Sequence, residues 1–302
     1  TSALGSDTKG SRNVAIGHSS LATQNFTSGT NSYNTAVGFH TGLSITTGIR
    51  NTLIGGEAGD ALQDADDNVA IGALALSGDT LGSQSVAIGR GALKVQNFTS
   101  ATDSLNTAVG YSAGESVSTG VQNTLIGALA GDALTDADFN IAIGADALAS
   151  DTLGNRSIAI GRRALLSQNF TSATDTYNVA VGFEAGHNIS TGVQNALIGG
   201  LAGDALTDAD SNVAMGHSAL STDTLGSRSV AIGASALEAQ NLTSATNTYN
   251  VAVGTLAGAA VTTGIQNTLL GGLAGDALTV GEKNIALGYV ALSADTKGNK
   301  ST

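Results

Sequence analysis

Carboxylates cluster on turns that recur along the chain, and such clusters could hold a hard cation. Oxygen ligands gathered on one turn are what Ca²⁺ prefers. The fourth copy of the turn breaks the pattern, because Val280-Gly281-Glu282 replaces most of its aspartates, and the Gly-Gly-x-Gly-x-Asp signature of calcium-binding β-rolls is absent. We interpret these turns as solvated, with a metal site as the alternative. The aspartates concerned are Asp64, Asp66, Asp136, Asp138, Asp208 and Asp210.

No other group of residues forms a unique reactive constellation, which a catalytic site requires. The four histidines, at 18, 40, 187 and 217, lie at different phases of a repeat and are expected on the surface. The segment Lys297–Thr302 has some features of a phosphate-binding loop but lacks the preceding glycine at the required spacing. Gly199–Gly203 is a repeat element and not a dinucleotide fingerprint. We therefore predict no enzymatic activity and no cofactor.

A five-residue unit recurs sixteen times and predicts the fold. It reads Asn or Ser, then Val, Thr or Ile, then Ala or Leu, then Ile or Val, then Gly. The spacing between units runs 21, 17, 17, 17 and then repeats, so a super-repeat of 72 residues contains four classes of coil. The units begin at Asn13, Asn34, Asn51, Asn68, Ser85, Asn106, Asn123, Asn140, Ser157, Asn178, Asn195, Asn212, Ser229, Asn250, Asn267 and Asn284.

Each unit predicts a short β-strand that pairs with the same strand of neighbouring coils. A segment such as Val14–Gly17 is too short and too β-branched for a helix, and glycines between units supply turns. The prediction is an all-β, parallel β-solenoid of about sixteen coils. It extends over residues 1–302 as one continuous domain, cut from a longer chain.

The predicted strand is apolar on both faces, which suggests an oligomer. Consecutive strand residues point to opposite faces. We expect the Ile/Val position to pack inside the coil, and the face lined with Ala, Leu and Gly to meet a partner, with three chains around a common axis. The predicted core and trimer-packing residues are Ile16, Leu53, Ile54, Ile71, Ile88, Leu125, Ile126, Ile143, Ile160, Leu197, Ile198, Ile232 and Leu269.

Two features leave alternatives open. The asparagine that opens most coils either stacks into an amide ladder or acts only through turn chemistry. The 21-residue coils carry inserts with most of the aromatic residues, and inserts are natural places for contacts. Packing of the phenylalanines against their own coil is the favoured alternative for them. The surface-contact candidates are Phe26, Phe98, Phe170, Tyr177 and Tyr249.

Composition excludes several functions. The net charge of −12 argues against nucleic acid, which needs a basic surface. No apolar run reaches the length of a membrane span, so no membrane insertion is expected of this segment. The chain has no cysteine and therefore no disulfide, which is compatible with an extracellular location.

The repeat resembles the head repeats of trimeric autotransporter adhesins of the YadA and haemagglutinin type, seen here as Ser85–Gly89 and Asn68–Gly72. The longer variants Asn106–Gly114 and Thr119–Gly127 look more like tail-fibre proteins of marine bacteriophages. The resemblance implies a left-handed β-roll in a homotrimeric fibre that attaches a virion to a host-cell receptor or glycan. The alternatives are the head of a bacterial cell-surface adhesin and a calcium- or ice-binding solenoid.

Overall fold

The computed structural model describes residues 2–301, and every regular element in that range is a β-strand. The residues form two compact units. The first contains residues 2–155 with 171–173, and the second contains residues 156–170 with 174–301. Each unit holds eight three-residue strands, one at every repeat unit, together with two-residue strands that lie just before the 21-residue coils or in their inserts.

The strands of the first unit are β1 (Gly10–Ser11), β2 (Val14–Ile16), β3 (Thr30–Asn31), β4 (Thr35–Val37), β5 (Thr52–Ile54), β6 (Val69–Ile71), β7 (Gly82–Ser83), β8 (Val86–Ile88), β9 (Thr102–Asp103), β10 (Thr107–Val109), β11 (Thr124–Ile126), β12 (Ile141–Ile143) and β13 (Gly154–Asn155). Those of the second are β14 (Ile158–Ile160), β15 (Thr174–Asp175), β16 (Val179–Val181), β17 (Ala196–Ile198), β18 (Val213–Met215), β19 (Gly226–Ser227), β20 (Val230–Ile232), β21 (Thr246–Asn247), β22 (Val251–Val253), β23 (Thr268–Leu270) and β24 (Ile285–Leu287).

Within each unit, the three-residue strands lie parallel to, and in register with, the equivalent strands of the neighbouring coils. In the first unit, Ala87 of β8 pairs with Ala70 of β6 and with Ala108 of β10, which in turn pairs with Leu125 of β11. Parallel neighbours separated by only 17 or 21 residues require the chain to return once per coil. The predicted all-β, parallel β-solenoid of about sixteen coils is therefore confirmed, with eight coils in each unit. The left-handed sense and the trimer stay predictions.

The orientation of the strands is the reverse of the expected one. From β4 to β23 the middle residue of each three-residue strand, such as Leu53 or Ala87, is fully buried inside the coil. The third residue points outward, and Ile16 and Ile54 are 60% and 39% exposed. The prediction that the Ile/Val side fills the coil and the Ala/Leu side meets a partner was wrong. The coil is too narrow for a β-branched side chain at this position in every layer.

The narrowness is visible where leucine replaces alanine. The interior side chain of Leu53 extends across the coil to two glycines. A Cβ atom on Gly42 would lie 2.9 Å from Leu53 Cδ1, and a Cβ on Gly59 would lie 2.9 Å from Leu53 Cδ2. Leu125 has the same relation to Gly114 and Gly131. Leucine therefore fits inside only in the class of coil where the opposite wall provides glycine, and alanine fills the rest.

The asparagines form a ladder between coils. The backbone N–H of Asn51 donates to Asn34 Oδ1 at 2.9 Å, and that of Asn68 donates to Asn51 Oδ1 at 3.0 Å. The amide of Asn51 donates to the Ala65 carbonyl at 2.7 Å. The ladder prediction is confirmed, although in its main links between coils a backbone N–H donates to a side-chain amide oxygen. Because these asparagines are fully buried, each link also prevents a buried polar group from remaining unsatisfied.

Serine opens three of the sixteen coils, and a glutamine from the following insert continues the ladder there. Gln96 donates to Ser85 Oγ at 2.8 Å and to Asp79 Oδ2 at 2.6 Å, and its carbonyl accepts from Asn106 at 2.9 Å. Asp79 is fully buried, and its other oxygen accepts from the backbone N–H groups of Gly82 and Phe98. The insert of the 21-residue coil is thus tied into the interior by hydrogen bonds.

The glycine that ends every unit is required by the close approach of neighbouring coils. Gly55 has φ +131°, a conformation that side chains rarely adopt, and a Cβ there would lie 2.7 Å from the carbonyl carbon of Gly72. The adjacent Gly56 differs, because a Cβ at that position would meet nothing within 4 Å. Glycine is therefore required at position 55, where a side chain would clash with the next coil, but not at position 56, where there is room for one.

We expect Gly55→Ala to lower the free energy of unfolding by about 2 kcal/mol or more, because it combines backbone strain with a clash against the next coil. Gly56→Ala, the matched control, should melt within a few degrees of the parent. Thermal unfolding followed by far-UV circular dichroism measures both. Equal melting temperatures for the two variants would contradict the steric role of the glycine column.

Candidate functional site

The outward face of the sheet is the most distinctive surface of each unit. We define the outward face as the first and third residues of every three-residue strand. The third residue is aliphatic in every coil except one, where it is Met215. Several of these side chains, including Val14 and Ile126, are more than a third exposed. A soluble protein seldom leaves a contiguous aliphatic strip in water unless the strip is an interaction site.

The predicted core and trimer-packing residues divide between the two sides of the strand. Four leucines lie inside the coil and are fully buried: Leu53, Leu125, Leu197 and Leu269. The isoleucines are third residues of strands and lie on the outward face: Ile16, Ile54, Ile71, Ile88, Ile126, Ile143, Ile160, Ile198 and Ile232. The leucines therefore stabilise each coil, whereas the isoleucines are available to a partner.

Two columns of residues, several of them aromatic or basic, flank the outward face. The entry column is the residue before each opening Asn or Ser, and the exit column is the residue after each closing Gly. Tyr33, in the entry column, has φ +53° and lies on the same side as Thr35 and Val37. Phe39, in the exit column, is half exposed. Side chains stack along both columns, as Arg12 does over Tyr33 at 5.3 Å and Arg90 over Tyr111 at 5.9 Å.

Sequence reasoning missed the exit column. Phe39, Tyr111 and Phe183 are exposed and were not among the predicted contact residues. The signal was present, because Tyr33 and Phe39 are six residues apart, as are Tyr177 and Phe183, on either side of the unit that follows a 21-residue spacing. Strand alternation carried outward from the unit on both sides would have placed these pairs on one face.

The phenylalanines of the inserts are not surface residues. Phe26, Phe98 and Phe170 are 6–7% exposed, and Leu242, which replaces them in the fourth copy, is 6% exposed. Their prediction as surface contacts was wrong, and the alternative that they pack against the coils is correct. A Cβ on Gly82, in the preceding coil, would lie 2.8 Å from Phe98 Cδ2. The backbone N–H of Phe98 donates to buried Asp79, so the ring is held inward. Tyr177 and Tyr249 are about half exposed, in the entry column, and stay contact candidates.

The aspartates of the acidic turns bridge neighbouring coils. Asp64, Asp136 and Asp208 each accept a hydrogen bond from a threonine 17 residues earlier, at 2.6–2.7 Å. The other three accept from backbone N–H groups at 2.8 Å, and these are Asp66, Asp138 and Asp210. Within residues 2–301 no three acidic or histidine side chains converge as metal ligands. The carboxylates serve as links between layers.

The histidines lie apart from one another along the chain, except at one end. His18 stacks on Phe39 at 5.4 Å, and Phe39 stacks on His40 at 3.7 Å. His187 contacts the Asn188 side chain at 3.1 Å, and His217 contacts that of Ser218 at 3.0 Å. The segment that begins at Lys297 is a turn in which the N–H groups of Lys297 and Gly298 donate to Asp295.

One further aspartate of each super-repeat, within residues 2–301, has a carboxylate oxygen that is buried without a hydrogen-bond partner. Asp60 and its equivalents at 72-residue intervals, Asp132, Asp204 and Asp276, each have one buried carboxylate oxygen with no hydrogen-bond partner in the described part of the chain. Burial raises the pKa of Asp60, Asp132 and Asp204 above the ordinary value of 3.8. Only the structure shows that the environment of Asp60 differs from that of Asp64 and Asp66.

Comparison of the chain with protein-family models, curated proteins and solved structures gives no match. The residues that the structure describes include no helix long and apolar enough to cross a membrane.

We expect replacement of Asp60, Asp132 and Asp204 by Asn to stabilise the protein at pH 7. A carboxyl whose folded-state pKa is raised binds more protons when folded, so it opposes folding above that pKa and the opposition fades as the pH falls towards 3.8. The melting temperature of the triple variant should exceed that of the parent at pH 7, and the difference should shrink in acid. A matched triple variant of Asp64, Asp136 and Asp208 should instead be less stable than the parent.

Proposed function

We propose that this chain is a structural and adhesive segment of a homotrimeric fibre. The observation that supports it is the outward face, an aliphatic strip repeated in every coil of both units. An isolated chain would leave this strip in water, at a cost of about 25 cal/mol for each Å² of apolar surface. Other copies of the chain, with the same strip at the same layer spacing, would cover it.

The size of the strip suits a stable association. Eight coils at about 4.8 Å extend for roughly 38 Å, and the distance from entry to exit column is about six residues, or roughly 20 Å. The face of one unit therefore presents about 760 Å², close to the 800 Å² that each partner buries in an ordinary specific interface. The resemblance to trimeric heads gives the number of chains as three, with the strips around the axis.

The fibre assignment rests on what such a scaffold can do. A stack of coils can hold a contact surface away from its anchor, and side chains outside the outward face and its two columns would provide that surface for a receptor or glycan. Tyr177 and Tyr249 are exposed on the isolated chain, and their place in the entry column suits them to contact with a neighbouring chain of the fibre. We place the segment outside the cell, in a phage tail fibre, as shaft or receptor-binding region attached to the host surface, with no catalysis and no cofactor.

The head of a bacterial trimeric adhesin is the alternative, and it rests on the Ser-Val-Ala-Ile-Gly repeats alone. A calcium- or ice-binding solenoid has less support. The first residues of the outward face mix Thr35 and Thr52 with Val69 and Val86, so they form no continuous threonine array. The carboxylates of the acidic turns accept hydrogen bonds from the preceding coil, as Asp64 does from Thr47 and Asp66 from Ile49, rather than converging on a cation site.

The assembly can be tested by placing charge on the outward face. We expect the parent to have three times the 29.6 kDa mass of the chain, and Ile54→Asp/Ile126→Asp to dissociate it, because a carboxylate buried in an apolar interface costs several kcal/mol. Val95→Asp/Val280→Asp alters exposed valines outside the face and should leave the trimer intact. Native mass spectrometry gives the masses. A parent that is monomeric at micromolar concentration would overturn the assembly.

The biological role needs a separate experiment. Gold-labelled antibody against the chain should decorate the tail fibres of phage particles that carry the gene. Label confined to the surface of bacterial cells that carry the gene would replace the leading proposal with the adhesin head. Label on neither structure would overturn both, whatever the oligomeric state of the purified chain.

A further inference from the structure

The side chains around the outward face vary in size with a period of four coils. Around the unit that follows each 21-residue spacing, both flanking columns are bulky in three of the four copies. The pairs are Tyr33 with Phe39, Leu105 with Tyr111, Tyr177 with Phe183, and Tyr249 with Thr255. In the same four units the third strand residue is always the smaller valine: Val37, Val109, Val181 and Val253. These layers are wide at their edges and thin in the middle.

The next coil of each super-repeat has the opposite profile. Its exit residue is Gly or Ala, as in Gly56 and Ala128, and its third strand residue is Ile or Leu, as in Ile54 and Ile126. Its entry residue is a long polar side chain such as Arg50 or Gln122. These layers are thick in the middle and thin at one edge. The outward face therefore differs from layer to layer, although its backbone repeats.

The variation in side-chain size along the outward face would affect how three copies fit around a common axis. In a ring of three, each contact is heterologous, so the entry edge of one chain meets the exit edge of the next. If the chains are level, every bulky layer forms one girdle in which the tyrosines of one chain approach the aromatic side chains of its neighbour. A shift by one coil, about 4.8 Å, would place Tyr111 of one chain beside Gln122 or Gln84 of the next and leave gaps beside the alanines and glycines.

We infer that the chains of the trimer are aligned without axial offset and that the bulky layers, at the units that open with Asn34, Asn106, Asn178 and Asn250, specify this register. The inference rests on the proposed homotrimer. A uniform solenoid would permit sliding, since every one-coil slip would restore the same backbone contacts. The four-coil period leaves only slips of whole 72-residue blocks, and each such slip would uncover four coils of outward face on every chain.

Cysteine pairs can measure the register, because the chain has no cysteine of its own. One chain carries Gln122→Cys in the entry column and a co-expressed chain carries Ala128→Cys in the exit column of the same coil. The control pair combines Gln122→Cys with Ala145→Cys, the exit alanine of the following coil. Disulfide formation needs Cβ atoms within about 4.5 Å, so a one-layer offset should reduce cross-linking about ten-fold.

The readout is the covalent dimer on a non-reducing gel after mild oxidation, with native mass spectrometry of each mixture. A trimer in which the same-coil pair cross-links about ten-fold more than the offset pair supports the register. A trimer in which the offset pair equals or exceeds it overturns the register and leaves the trimer standing. A trimer in which neither pair reacts overturns the meeting of the entry and exit columns. A monomeric mass overturns the proposed assembly itself.

Discussion

The close approach of successive coils is the constraint on which the whole structure depends. Parallel strands hydrogen-bond only when their backbones lie about 4.8 Å apart, and in this chain that approach must succeed in every layer. Gly55 and Gly72 lie so near that a single added carbon at Gly55 would overlap the next coil. The constraint explains why the closing glycine occurs in all sixteen units and why the interior contains mainly alanine and leucine.

The close approach of the coils also buries backbone N–H and C=O groups, and polar side chains provide their hydrogen-bond partners. A narrow coil buries the backbone groups at its corner, and the asparagine ladder satisfies them from layer to layer. In the coils that open with serine, Gln96 and buried Asp79 perform this task and also anchor the longer insert. The acidic turns act similarly, since Asp66 accepts the N–H of Ile49 from the coil before it. Most polar side chains at the corners are therefore structural.

Function is then left to the residues that these constraints do not fix. The outward face and its two flanking columns are free of steric demands from the coil, and they carry nearly all the exposed large apolar side chains. Their aliphatic centre suits association with further copies, and their bulky layers vary with a four-coil period. The backbone is the same in every coil, so only the outward side chains can determine which partner binds and in which axial register.

The sequence by itself determined the coil, its period and its strand content. The spacing of 17 and 21 residues, the β-branched units and the invariant glycine are local features, and they predict parallel strands correctly without tertiary information. Alternation also showed that Ala15 and Ile16 lie on opposite faces. It could not show which face is the interior, because a strand apolar on both sides is consistent with either choice. Only the tertiary structure decided that, through the width of the coil, which admits Ala36 or Leu53 and leaves Ile54 outside. Tertiary packing also decides the state of the insert and turn residues. The burial of Phe98 and of one carboxylate oxygen of Asp60 depends on which atoms of the neighbouring coils lie against them.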